Sequence, residues 1–159
     1  MNEATAIAAV RKSVRVKAPI ERAFDVFTSG LTRWWPHSHG VGKKPIQKVM
    51  MEPRLGGRWL EISEDGIETT VATITHWQPP LRLVMVWQVN AQWKPDTTMK
   101  SEVDVRFNAE GADATLVELV HHKFETMGAE AGASMRKDVD GGWPGLLERF
   151  VSEAERGTA

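Results

Sequence analysis

Apolar residues along this chain change period twice. Val10, Val14 and Val16 open it with the spacing of a strand. Pro19 sits where a helix begins, since a missing N–H costs nothing at the first helical position. Ile20, Phe24, Phe27 and Leu31 then fall at steps of four, three and four, one face of a helix. Gly30 is a natural stop, and Leu31 to Trp35 can form one further short turn before Pro36.

From Ile46 the period becomes two. Val49-Met50-Met51 and Arg58 to Ile62 read as strands separated by Pro53 and the Gly56-Gly57 pair, a bend where side chains would crowd. Asp65-Gly66 signals a tight turn into a long strand, Glu68 to Trp77, which Pro79-Pro80 ends. Leu81 to Gln88 alternates as another strand, as do Glu102 to Phe107 and, after a turn, Thr115 to His122. The last segment returns to a helical period. Trp143, Leu146, Leu147, Phe150, Val151 and Ala154 form one stripe, and Gly141-Gly142 either kinks the helix or marks its effective start. A continuous antiparallel sheet has a face to cover, and this helix carries the long apolar stripe that can cover it. The expectation is a two-layer α+β domain.

Composition narrows the chemistry. The chain has 159 residues, one domain by the length prior, with an ordered core expected over about 8–155 and small, polar ends. At 42% hydrophobic residues it can bury a sizeable core. Lys and Arg number 20 against 21 Asp and Glu, so no cationic surplus points to nucleic acid or an anionic membrane. With no cysteine there is no disulfide framework, thiolate nucleophile or Cys-ligated metal, and no cofactor is expected. No apolar run is long enough to span a membrane, and Met1 to Val10 lacks the pattern of an export signal, so a cytoplasmic location is expected. The compositional oddity is seven tryptophans beside no tyrosine.

A set of short motifs in fixed order points to a family. These are Val16-x-Ala18-Pro19-x-Glu21-x-x-Phe24, Trp34-Trp35-Pro36, Glu52-Pro53-Arg54-x-Gly56-Gly57, Asp65-Gly66, Pro79-Pro80-Leu81-Arg82-Leu83 with Trp87, and Gly142-Trp143. The chain thereby resembles, from about Val10 to Val151, the activator of the ninety-kilodalton heat-shock-protein ATPase homologue family. That family belongs to the START-related, birch-pollen-allergen-like (SRPBCC) helix-grip superfamily. The resemblance implies a curved antiparallel sheet of six or seven strands wrapped on a long C-terminal helix, with two short helices after the first strand. It also implies an apolar cavity between helix and sheet, which superfamily members use for hydrophobic small molecules. The family takes its name from a co-chaperone with a separate N-terminal domain that contacts the chaperone. No such module precedes Val10, so binding of a hydrophobic ligand is the first expectation. A chaperone or other protein partner is the second, and an enzyme acting on a hydrophobic substrate the third.

Strand alternation supplies the candidate site. Trp59 and Glu61 share a face, as do Leu83, Met85 and Trp87, then Val103, Val105 and Phe107, then Thr115, Val117, Leu119 and His121. Trp35 on the second short helix, with Trp143 and Leu147 on the long one, faces the same space. These residues either line a pocket or fill a core, and periodicity treats the two alike. Glu61 and His121 are the titratable residues on that face, candidates for a ligand contact or an acid–base pair. Trp34, Trp77 and Trp93 fall at a turn, a strand end and a loop, where structural roles are expected, although Trp93 could also cover the cavity entrance. His37 and His39 alternate as a metal-ligand pair would, but no third ligand follows by spacing. Gly56-Gly57-Arg58 lacks the phosphate-loop spacing, and no Gly-x-Ser-x-Gly elbow occurs.

Overall fold

The structure, a computed structural model, describes residues 6–37 and 45–156. Its first strand, β1, is Val10–Val16, followed by helices α1 (Ile20–Phe27) and α2 (Leu31–Trp34). Six strands follow: β2 (Ile46–Met51), β3 (Arg58–Ser63), β4 (Glu68–Gln78), β5 (Arg82–Trp87), β6 (Ser101–Ala109) and β7 (Thr115–His122). A 3-10 turn, Phe124–Met127, leads into the long helix α3, Ala129–Glu155. The seven strands form one antiparallel sheet in the order β1-β7-β6-β5-β4-β3-β2, curled around α3 in a helix-grip arrangement. Chain-adjacent strands pair from β2 to β7, and β1 closes the other edge on β7 with Val14 opposite Val117. Among the described residues no helix is long and apolar enough to cross a membrane.

Local chemistry accounts for the corners. Pro19 caps α1, and the first helical bond runs from the Ala23 N–H to its carbonyl at 3.0 Å. The helix stops where the Thr28 hydroxyl donates back to the Phe24 carbonyl at 2.8 Å. Between β2 and β3 the chain turns so tightly that a side chain at Gly57 would strike the Glu52 carbonyl, while Gly56 takes φ +78°. Both glycines are therefore required by backbone geometry.

Two sequence expectations need correction. Trp35 does not belong to α2; it follows the helix in an extended conformation, φ −74° and ψ 127°. The second correction is larger. α3 begins at Ala129, well before Gly141, and runs unbroken through Gly141, Gly142, Pro144 and Gly145. Upstream of Trp143 the buried stripe continues through Val139 and Met135, so tertiary packing outweighs the poor helix propensity of the glycines. Pro144 removes one intrahelical bond, but it lies on the exposed face, where water can solvate the freed carbonyl.

Two register shifts in β4 matter for the site. Trp59 pairs with Ala72 but Leu60 with Thr70, so Val71 is the extra residue of a bulge. Ile74 pairs with Met85 but His76 with Val84, which leaves Thr75 extra. Each bulge reverses which residues face inward. As a result Val71, Ala72, Ile74 and Trp77 all pack toward the core from one strand.

Candidate functional site

The concave face of the sheet has two ends. At one, α1 wedges between the sheet and the last turns of α3. Phe24 meets Trp77 and Phe107 at ring separations of 5.1 and 5.0 Å. Phe27 meets Trp34, Phe107 and Phe150 at 5.3, 5.8 and 5.2 Å. The Trp34 indole N–H donates to the Val26 carbonyl at 2.9 Å. At this end Leu83, Val105, Phe107, Val117, Leu119 and Leu147 are all core.

The other end is hollow. A cavity of about 310 Å³ lies between β3, β4, β5 and the middle of α3, bounded by Trp35, Glu61, Val71, Trp87, Trp93, Asp138, Val139, Gly142, Trp143 and Leu146. On the helix side its space comes from a small residue. Gly142 faces the cavity from α3, and a Cβ there would meet nothing within 4 Å.

The walls are rings fixed against one another. Trp35 meets Trp59 edge-on at 4.5 Å and Trp143 at 6.0 Å, while Trp87 meets Trp59 at 5.5 Å and Trp143 at 6.3 Å. Such inclined pairs are favourable by about 0.5–1.5 kcal/mol each beyond area burial, so the wall is preformed. Trp93 closes the outer side. It sits at the tip of the β5–β6 loop, and its indole N–H donates to Asp138 Oδ2 on α3 at 3.1 Å. The loop holds itself in shape: the Asn90 side-chain carbonyl accepts from the Gln92 and Lys94 backbone N–H groups, and Asp96 from that of Thr98.

Of the residues named from sequence, Trp35, Glu61, Trp87 and Trp143 bound the cavity. Trp59 backs Trp35 and Trp87 from a fully buried position. Met85 and Val103 are core beside it. His121 stands behind the wall, its ring 5.4 Å from Trp87 and 4.8 Å from Phe124. The Trp143 indole N–H donates to His121 Nδ1 at 3.2 Å, which assigns the imidazole proton to Nε2. Burial, with a smaller contribution from His122, pushes the His121 pKa down to about 3, so the ring is neutral. Glu61 bounds the cavity and His121 does not. His37 is exposed and His39 lies outside the described residues, among which no metal-binding cluster occurs.

Val71, Asp138, Val139 and Gly142 bound the cavity without having been named from sequence as facing it; Leu146 was named only in the helical stripe and Trp93 only as a cover for the entrance. Val139 continues the Trp143–Leu146 spacing one turn upstream, a signal obscured by Gly141-Gly142. Val71 enters only because of its bulge, which no alternation rule foresees.

A family model described as Activator of Hsp90 ATPase homolog 1-like protein matches residues 17–155. Among solved structures, the chain is 39% identical to Txn09, an anthrahydroquino-gamma-pyrone synthase complexed with SUM, over 92% of this chain and 97% of that one, with a TM-score of 0.65. It is 35% identical to CalC, a self-sacrificing resistance protein from Micromonospora echinospora, over 92% and 94% of the two chains, with a TM-score of 0.69. Protein NE0264 from Nitrosomonas europaea shares the fold at 11% identity, covering 96% and 99%, with a TM-score of 0.64. No curated protein matches the chain.

Proposed function

This chain belongs to the Activator of Hsp90 ATPase homolog 1-like family, and on that premise we propose that it binds an apolar, aromatic small molecule in the cavity between sheet and α3. The observation that carries this reading is a hollow, tryptophan-walled end on a sheet whose other end is filled. A structural core of this size has no need of a gap, and the empty volume forfeits packing contacts that a ligand would restore. The volume, about 310 Å³, accommodates two or three fused or linked rings. The likeness to Txn09, named as a synthase of an aromatic product, agrees with a ligand of that shape.

The test uses the neutral probe N-phenyl-1-naphthylamine, whose emission rises in apolar surroundings. Saturable binding at one site is expected. Gly142→Leu, which projects a side chain into the cavity from an open position, should weaken it by about tenfold or more while leaving the fold intact. Equal binding by wild type and Gly142→Leu would remove this cavity from consideration.

A second reading is catalysis on the bound molecule, favoured by the 39% identity to a synthase and by the Glu61 carboxyl in the cavity wall. His121 offers no base there, because its Nδ1 is engaged by Trp143. The acid–base role would rest on Glu61, and Glu61→Gln would abolish turnover without loss of probe binding.

A further inference from the structure

Among its described residues the cavity is apolar except for two side chains of the same sign. Glu61 and Asp138 contribute carboxyls, and no Lys, Arg or His is among the bounding residues that are described. Asp138 is on the exposed rim. Its Oδ2 accepts from the Trp93 indole, and no cationic side chain lies within ion-pair distance of it among the described residues. Lys94 and Lys137 flank Trp93 and Asp138 in sequence, yet neither bounds the cavity. Two residues further along α3, on another face of the helix, Asp140 is neutralised by Lys12 at 2.8 Å. The rim carboxylate is therefore left without a counter-charge beside an aromatic ring.

That ring strengthens the case. Trp is the best neutral partner for a cation, which is attracted to its π face. Donation of the indole N–H to a carboxylate increases the electron density of that face. Trp93 holds this position at φ +59°, a backbone conformation unfavourable for a bulky residue, so the loop commits strain to keeping the indole at the mouth. A carboxylate and an indole face at the mouth, with Trp35, Trp87, Trp143, Val139 and Leu146 deeper in, form a site with a cationic end and an apolar end.

The geometry points to a ligand that is an aromatic or aliphatic amine: its apolar body against Trp35, Trp87 and Trp143, its protonated nitrogen at the mouth beside Asp138 and the Trp93 face. This rests on the binding reading above and adds a charge preference to it. Carboxylate, sulfonate and phosphate ligands are disfavoured, because the site would place their charge beside Asp138 with no cation among the described bounding residues to meet it.

Three probes of one body separate the two levels: 2-naphthylmethylammonium, 2-naphthylmethanol and 2-naphthoate, each titrated calorimetrically at neutral pH and low salt. The expected order is ammonium, then alcohol, then carboxylate, with about a three- to tenfold step for a partly solvated charge. Asp138→Asn keeps an acceptor for the Trp93 N–H and removes the charge. It should bring the ammonium down to the alcohol and leave the alcohol unchanged. Added salt should shrink the ammonium advantage in wild type only. Carboxylate binding as tight as ammonium, or an unchanged ratio in Asp138→Asn, overturns the charge preference while the cavity stands. Failure of all three probes overturns the cavity reading and this inference together.

Discussion

The two ends of the concave face are built from the same sheet and the same helix, with opposite results. Where α1 is inserted, phenylalanines interlock: Phe27 is fully buried and touches Trp34, Phe107 and Phe150. Where α1 does not reach, tryptophans brace one another edge to face and enclose a space. Burial is nearly as complete at both ends, since Trp35, Trp87 and Trp143 are 7%, 3% and 2% exposed. A buried aromatic side chain is therefore no guide to whether it fills or lines. What separates the ends is the presence of a third layer and the placing of a small residue, Gly142, on α3.

The comparison predicts unequal responses. The largest belongs to the filled end. Phe27→Ala leaves a cavity among three rings that cannot collapse onto it, and should cost about 4 kcal/mol, read from the urea midpoint. A loss below about 1 kcal/mol would mean that this end is not the tighter of the two.

Next comes the boundary residue, His121. In the unfolded chain its imidazole titrates near 6.5, whereas burial holds the folded value near 3. Below 6.5 the unfolded state takes up a proton that the native state refuses, so stability is full above that value and falls as pH drops. The loss should be about 2 kcal/mol between about pH 7 and pH 5. The window lies above that of Glu52, whose carboxyl is held down to about 2 by its hydrogen bonds from Arg58. His121→Gln retains an acceptor for the Trp143 N–H and should flatten the slope, which urea titrations at several pH values would show.

The smallest effect on stability belongs to the hollow end. Trp93 is 40% exposed and bonded to α3 only through Asp138. Trp93→Ala should change stability by no more than about 0.5 kcal/mol, yet weaken N-phenyl-1-naphthylamine severalfold and speed its release in stopped-flow displacement. Similar penalties for Trp93→Ala and Phe27→Ala would erase the distinction between the ends.

The order of elements was legible because it depends on local periodicity and punctuation. Val10–Val16 and Thr115–His122 appear in the structure with the limits their alternation implied. α3 was legible only from Trp143 onward, because Gly141, Gly142 and Pro144 oppose helix locally and yield only to the packing of Met135 and Val139. Of the candidate site, alternation found Glu61 and Trp87, and the helical stripe found Trp143. The same rules named Leu83, Val105 and Leu119, which the structure places in the core.

By itself the sequence determined the strands, the two helical periods and, outside the β4 bulges, which side chains turn inward, since each follows from bonds between near neighbours. Only the tertiary structure decided which inward side chains meet a partner and which meet a gap. That depends on the bulge that turns Val71 inward, on how far α1 reaches, and on the Trp93 loop meeting Asp138 across 45 residues of chain. These are distances between segments remote in sequence, and a local pattern carries no information about them.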